Sequence, residues 1–178
     1  MKLKILPKWL AIILGIVVIV CAVAIILLLT KKGVLPLTTK SVPVSYHANI
    51  VDLTQKNTDF RQVLFTGKNS QLVVQDIPPG GEIGEETHKY AEQTLFFLSG
   101  TGEGELNGHQ FPVGPGDVVV VVPGTDHNFW NTGTQDLKIY TVYAPPNHLD
   151  GTVETSKAVA DANTADEAVG EKAPVCIQ

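Results

Sequence analysis

The chain has 178 residues, of which 44% are hydrophobic, and a formal net charge of −5 at pH 7. Residues 1–32 hold five lysines and no acidic residue, so the other 8 basic and 18 acidic residues give 33–178 a charge of −10. This uneven distribution of charge excludes a chain of uniform composition that folds as one globule. It also argues against a nucleic-acid partner, because the part long enough to fold is acidic and would repel phosphate. About 145 residues remain after the basic segment, which is the size of one domain.

The first predicted element is an apolar helix over residues 9–30, which contain no charged residue. A helix of this length spans roughly 33 Å, enough for a hydrocarbon core of about 30 Å. The apolar run is longer than that of a cleaved signal peptide and does not end in a small-x-small site. We therefore expect residues 1–32 to be an uncleaved, single-pass membrane anchor. Three lysines and the α-amine precede the run and three lysines follow it, so the positive-inside rule favours an extracytoplasmic soluble domain.

Three further segments are predicted after the anchor. Residues 33–45 contain two prolines and no helical period, which is typical of an extended linker. Residues 46–150 form the folded unit. Residues 151–178 are rich in alanine and acidic residues and poor in large apolar ones, so we expect an acidic tail that is a frayed helix or disordered.

The folded unit has an all-β pattern. Short β-branched and aromatic runs recur at the spacing of a sandwich or barrel. Asn107-Gly108 lies between two of them and predicts a hairpin. Residues 118–122 are all valine, which predicts a strand buried on both faces. The runs cover residues 49–53, 62–66, 71–75, 94–98, 102–106, 117–122, 128–130 and 137–143.

Two spaced motifs lie in this unit, and the first begins at a glycine in a Pro-Pro-Gly-Gly turn. Gly80 is followed after five residues by Glu86, and His88 comes two residues later. Gln93 follows His88 after four residues, and Gly100 follows Gln93 after six. Glu86 and His88 are two apart, so on a strand their side chains would face the same way.

The second motif begins 15 residues after the first one ends. Gly116 is followed after five residues by Val122, and then by Gly124, His127 and Asn131. Together the two motifs resemble those of the cupin superfamily, whose members are small jelly-roll β-barrels. The longer run from Phe60 to Val153 also looks like one group of small single-domain bacterial cupins. The resemblance implies an all-β cupin barrel, here preceded by one transmembrane helix.

Two of the positions that bind metal in cupins carry other residues in this chain. Glu86 stands where the family has its first histidine, and Gln93 stands where it has a glutamate. The resemblance implies a metal site at Glu86, His88, Gln93 and His127. Two imidazoles, one carboxylate and one amide oxygen suit a divalent ion such as Fe, Mn, Zn, Ni or Cu. A rival alignment would place His88, Tyr90 and Glu92 in the first three positions.

Each candidate also has a structural interpretation. His88 could be an ordinary surface or core histidine, Glu86 could belong to a solvated acidic loop, and Gln93 could form a hydrogen bond inside the barrel. Asn131 is expected to fix a turn. The aromatic residues are expected to pack in the core or at the barrel mouth. Three further histidines match no motif and are expected on the surface or in loops: His47, His109 and His148.

Two functions of different classes follow. The first is a membrane-anchored, metal-binding cupin that binds a small molecule and acts as a metal-dependent oxygenase or isomerase. The second is a non-catalytic binding or sensor module, which the two altered ligand positions favour. Cupin barrels often pair through their sheets, so a homodimer is a further expectation. Scattered basic residues in the barrel segment give no pocket for phosphate. The sequence leaves the ligand, the metal and the question of catalysis open.

Overall fold

A computed structural model describes residues 45–172 of the chain, which contain ten strands and three short helices. All strand pairs are antiparallel, as the motif resemblance implied. The elements, in chain order, are α1 (Ile50–Lys56), β1 (Arg61–Thr66), β2 (Gln71–Ile77), β3 (Glu86–Thr87), β4 (Glu92–Ser99), β5 (Gly102–Leu106), β6 (His109–Val113), β7 (Val118–Val121), β8 (Asp126–Asn131), β9 (Leu137–Ala144), β10 (Val153–Glu154), α2 (Lys157–Asp161) and α3 (Thr164–Gly170).

The strands form two sheets that enclose one interior. The larger sheet has the strand order β10-β1-β2-β9-β4-β7, and the smaller has the order β3-β8-β5-β6. Phe97 of the larger sheet packs against Phe129 of the smaller one, with ring centroids 5.5 Å apart. The all-β, jelly-roll prediction is therefore confirmed.

The interior is apolar at one end and polar at the other. Along β4 the inward residues are Phe97, Leu95 and then Gln93, and the first two belong to the main hydrophobic cluster. Along β9 the order is Ile139, Thr141 and Tyr143, paired with those three in turn. Alternate residues of a strand face the same side, so the change from apolar to polar runs along the barrel axis. The polar end holds the site.

The hairpin predicted at Asn107-Gly108 joins β5 and β6. Both residues have positive φ, at 49° and 80°, and the strands pair outward from Leu106 and His109. A two-residue turn with two positive φ angles matches the twist of the flanking strands. The strongest local turn signal in the sequence is thus confirmed.

The five-valine run is not buried on both faces, and this prediction was wrong. Val118, Val120 and Val122 have exposed fractions of 55%, 50% and 53%, whereas Val121 is buried at 1%. Strand β7 pairs with β4 and forms an edge of the larger sheet. The described residues leave its outward face uncovered. That face carries apolar side chains, whereas the alternation of a half-buried strand would place polar ones there.

Residues 49–53 were predicted as a strand but enter helix α1. Asn49 caps this helix by accepting a hydrogen bond from the Asp52 N–H at 3.3 Å. An asparagine at the N-cap satisfies an N–H that has no partner within the helix. Thr54 is fully buried, and the helix contacts β2, β4 and β9. Tertiary packing and a cap thus outweigh the strand preference of Ile50 and Val51.

The segment after residue 150 was expected to be frayed or disordered, yet through residue 172 it is folded onto the barrel. Strand β10 pairs with β1, and Ala160 of α2 joins the main core cluster. Asp166 of α3 is 2% exposed. The few large side chains of this segment hid its packing, which depends on Ala160 and on buried polar contacts.

The predicted membrane anchor at residues 9–30, the 1–32 segment and nearly all of the 33–45 linker lie outside the described residues. Within residues 45–172 no helix is both long enough and apolar enough to cross a membrane.

Candidate metal centre

The smaller sheet positions Glu86 and His127. Strand β3 pairs with β8 so that these two residues stand directly opposite each other. His88 follows β3 immediately and is 8% exposed. The His88 and His127 ring centroids are 5.0 Å apart. Two adjacent chain segments therefore bring one carboxylate and two imidazoles to the polar end of the interior.

The larger sheet supplies Gln93 from the opposite wall. Gln93 is fully buried and stands opposite Tyr143 in the β4–β9 register. Its Oε1 lies 3.2 Å from His88 Nε2 and 3.1 Å from His127 Nε2. His88 Nε2 also lies 3.5 Å from Glu86 Oε2. The four residues singled out in the sequence thus meet in one place.

These separations fit a single metal ion. Neighbouring ligand atoms at about 2.1 Å from an ion are about 3.0 Å apart in an octahedron and about 3.4 Å apart in a tetrahedron. The measured distances of 3.1, 3.2 and 3.5 Å lie in that range or next to it. One ligand atom each from Glu86, His88 and His127 also lie within 4.8 Å of one another. Both the donor chemistry and the spacing therefore suit a divalent cation.

The ring orientation of His127 and the protonation state of His88 both suit binding of a cation through Nε2. His127 Nδ1–H donates to the Thr125 carbonyl at 2.9 Å, which orients the ring and leaves the Nε2 lone pair facing inward. Burial lowers the pKa of His88 to about 4, and the neighbouring His127 and His148 act in the same direction, against the opposing effect of Glu86. His88 is therefore neutral at pH 7, as a metal ligand must be.

The geometry favours the first alignment over its rival. Glu92 is exposed and Tyr90 is half-buried, and Lys89 Nζ lies over the Tyr90 ring, 5.2 Å from its centroid.

Asn131 donates to the carbonyls of Ile77 and Gln135. Asn131 therefore shapes turns, as predicted.

A buried charged cluster beside the site was missed in the sequence. His148, expected on the surface, is 5% exposed, and its Nδ1–H donates to Asp166 at 2.6 Å. Arg61 is 8% exposed and lies within 3.8 Å of Glu86, 3.4 Å of Glu154 and 3.6 Å of Asp166. Arg61, His148 and Asp166 belong to no motif, and they lie up to 105 positions apart in the numbering, so no local signal connects them.

Burial opposes ionisation of Asp166, but its partners lower its pKa overall. They are the hydrogen bond and charge of His148, the Leu149 N–H and the Arg61 guanidinium. Asp166 also accepts from the Leu149 N–H at 2.7 Å. Helix α3 is thus joined to the loop after β9 by an ionised, buried carboxylate.

A cavity of about 280 Å³ opens next to the candidate metal centre. Glu86 and His88 line it on the barrel side, and the C-terminal helices line it on the other. Its walls carry five carboxylates and two cationic side chains, Arg61 and Lys89. The cavity is large enough for a small organic molecule beside a metal ion.

Two antiparallel sheets around an interior site of histidine, carboxylate and amide define a jelly-roll barrel of the cupin type. A sequence model of the Cupin domain matches residues 73–143. The chain belongs to the cupin superfamily.

Several proteins are similar to this chain. The uncharacterized protein YrkC of Bacillus subtilis is 40% identical over 124 residues, which are 66% of this chain and 67% of that protein. A solved structure from Bacillus halodurans is 36% identical with a TM-score of 0.66, and the match covers 67% of this chain and 96% of that one. The oxalate-binding protein of Thermotoga maritima is 33% identical over 66 residues, covering 37% of this chain and 54% of that protein.

Proposed function

We propose that the barrel binds one divalent transition-metal ion through Glu86, His88, Gln93 and His127, and a small molecule in the adjoining cavity. The convergence of three ligand types from both sheets, with neighbouring atoms 3.1–3.5 Å apart, carries this proposal. A bound ion of this kind would supply Lewis-acid or redox chemistry, and oxygenation and isomerisation are the reaction classes that we propose.

The residues of the chain have separate roles in this function. Thr125 holds the His127 ring through its carbonyl, and burial keeps His88 neutral. Arg61 lies beside Glu86 and limits the negative charge next to the ligand set. Two neutral, buried imidazoles add no charge that would oppose folding, and the carboxylate supplies the negative charge that attracts a cation.

The cavity favours a neutral or cationic small molecule. Five carboxylates line it against two cationic side chains, and Arg61 is already close to three carboxylates. A dianion such as oxalate, named for the Thermotoga relative, would bind only where the attraction of a bound divalent ion exceeds the repulsion of this lining.

Metal analysis of the purified full-length protein tests the proposal. We expect about one equivalent of a divalent transition metal per chain, and its loss in the double variant His88→Ala plus His127→Ala. The matched control is His47→Ala plus His109→Ala, since both of these histidines are exposed. A wild-type protein without stoichiometric metal after incubation with each candidate ion would contradict the metal site.

A non-catalytic binding role is the second candidate, and Gln93 favours it. A neutral amide replaces the expected carboxylate, which weakens electrostatic attraction for the ion. If the protein only binds its ligand, small molecules should raise the unfolding temperature of metal-free protein. Metal-dependent turnover in a substrate screen would instead assign catalysis.

We also propose that residues 9–30 anchor the chain in a membrane with the barrel on the extracytoplasmic side. An uncharged run of this length with lysines on both sides supports the proposal. Alkaline washing of membranes should leave the chain in the pellet, and external protease should cleave it in intact spheroplasts. Release into the supernatant would contradict the anchor, and protection from protease would contradict its direction.

A further inference from the structure

Gln93 makes three close polar contacts in a fully buried position. Its Oε1 faces the Nε2 atoms of His88 and His127 at 3.2 and 3.1 Å, and its Nε2 donates to the Tyr143 hydroxyl at 2.8 Å. All four side chains are less than 10% exposed. Buried polar atoms need hydrogen-bond partners, because water cannot replace them.

When the His127 imidazole is neutral, no hydrogen lies between its Nε2 and Gln93 Oε1. Its Nδ1–H is already given to the Thr125 carbonyl, so Nε2 is an acceptor, as is the amide Oε1. Two acceptors 3.1 Å apart repel each other unless a cation lies between them. The orientation of Gln93 with oxygen inward is therefore the one that suits a bound metal.

A half-turn of the amide satisfies the polar groups of Gln93, His127 and Tyr143 without a cation. The amide nitrogen carries two N–H donors, one for each Nε2, and the amide oxygen can then accept from the Tyr143 hydroxyl. The Tyr143 hydroxyl carries a proton at neutral pH, as phenols do, and can donate it. The arrangement requires N–H on His88 Nδ1, next to the Asn147 amide at 3.4 Å, which can present its oxygen there.

A glutamate at this position could not take both roles. An ionised carboxylate only accepts hydrogen bonds, so without metal it would face two imidazole lone pairs and Glu86. The amide can either donate to the imidazoles or offer an oxygen to a metal. Glutamine and glutamate therefore differ in the metal-free protein, where the amide can donate hydrogen bonds to the imidazoles and the carboxylate cannot.

We propose that Gln93 is a two-position residue, which turns its NH₂ to both histidines in the metal-free protein and its oxygen to them when a divalent metal binds. The inference rests on the metal site proposed above. It follows that hydrogen bonds hold the metal-free site together. A metal ion must replace the two bonds from the Gln93 NH₂ group to the histidines in order to bind. Gln93 thus lowers the affinity for metal and keeps the metal-free site ordered.

Comparison of wild type with Gln93→Glu, as full-length proteins titrated with Zn²⁺, tests this. We expect the variant to bind Zn²⁺ at least about 10-fold more tightly, in the range that neighbouring groups change metal affinity. Its metal-free form should melt at a lower temperature, so that Zn²⁺ produces a larger rise in the variant. Gln75→Glu is the control, because Gln75 is a glutamine buried to the same degree that lies in β2, and it should lose stability without gaining affinity.

Nuclear magnetic resonance of the histidine rings gives a second readout. In metal-free wild type we expect unprotonated Nε2 in both His88 and His127, and Gln93 NH₂ protons protected from exchange. Added Zn²⁺ should remove that protection. Protonated Nε2 on either ring, or equal Zn²⁺ affinity in wild type and Gln93→Glu, would overturn the role of Gln93 while the metal site stands. Absence of Zn²⁺ binding in both proteins would overturn the metal site itself.

Discussion

Among single residues, Arg61 holds together the charges at the barrel mouth. It is the cationic partner within 3.8 Å of Glu86, Glu154 and Asp166. Buried carboxylates are tolerated only when paired. The glutamate of the candidate metal site and the aspartate of the C-terminal helices therefore share one cation.

Replacing Arg61 by methionine should be strongly destabilising. The substitution keeps much of the packing but removes the guanidinium shared by Glu86, Glu154 and Asp166, and breaking such buried pairs costs about 3–5 kcal/mol. Urea unfolding followed by tryptophan fluorescence would measure the change in the free energy of unfolding. The control is Lys56→Met, whose partner Asp52 is at 3.8 Å on an exposed helix, and a loss comparable to that of Lys56→Met would refute the pairing.

Asp166→Asn should remove an acid-sensitive part of the stability. Because the pKa of Asp166 is lowered in the folded protein, its ionised form stabilises the fold above the unfolded pKa of about 3.9. That stabilisation is lost as pH falls through the lower folded value. Wild type should exceed Asp166→Asn in unfolding free energy by a constant amount above about pH 5, and the gap should close below about pH 4. A gap independent of pH would argue against ionised Asp166.

At the scale of elements, the β5–β6 hairpin isolates the effect of backbone conformation. A Cβ on Gly108 would contact no atom within 4 Å, but the φ of this residue is +80°. Gly108→Ala should therefore cost about 1–2 kcal/mol through backbone strain. Gly114→Ala is the control, since its Cβ would touch Thr101 Cγ2 at 4.0 Å and no positive φ is required. Thermal or urea unfolding would separate the two variants, and equal losses would contradict the assignment.

Local chemistry explains which elements could be predicted. The Asn107-Gly108 turn depends on neighbouring residues and was visible in the sequence. The site from Glu86 to His127 was expected from the spacing of two motifs that resemble those of the cupins. Helix α3 depends on contacts of Asp166 with Arg61 and His148, which only the fold brings together. The exposure of Val120 depends on the outer face of its strand being uncovered by the described residues, and composition does not report that.

At the scale of the whole molecule, the open edge of the larger sheet is where we expect two copies to pair. Strand β7 presents Val118 and Val120, and Val122 follows it directly, each at least half exposed. An uncovered apolar edge strand favours association. Light scattering after size exclusion, in detergent, should give a dimer for wild type. Val118→Lys plus Val120→Lys should shift it to monomer, whereas Val159→Lys, on exposed α2, should not. A monomeric wild type would contradict the homodimer.

The barrel interior separates the residues that form the hydrophobic core from those of the candidate metal centre. Leu95 and Phe97 fill the apolar end of β4, and Gln93 lies only two residues further along the same strand. Substitutions at the polar end can therefore exchange one ligand for another while the apolar end keeps the strands in register. For protein engineering, this makes the barrel a scaffold whose donor set can be rewritten at a few positions while the apolar end retains its packing.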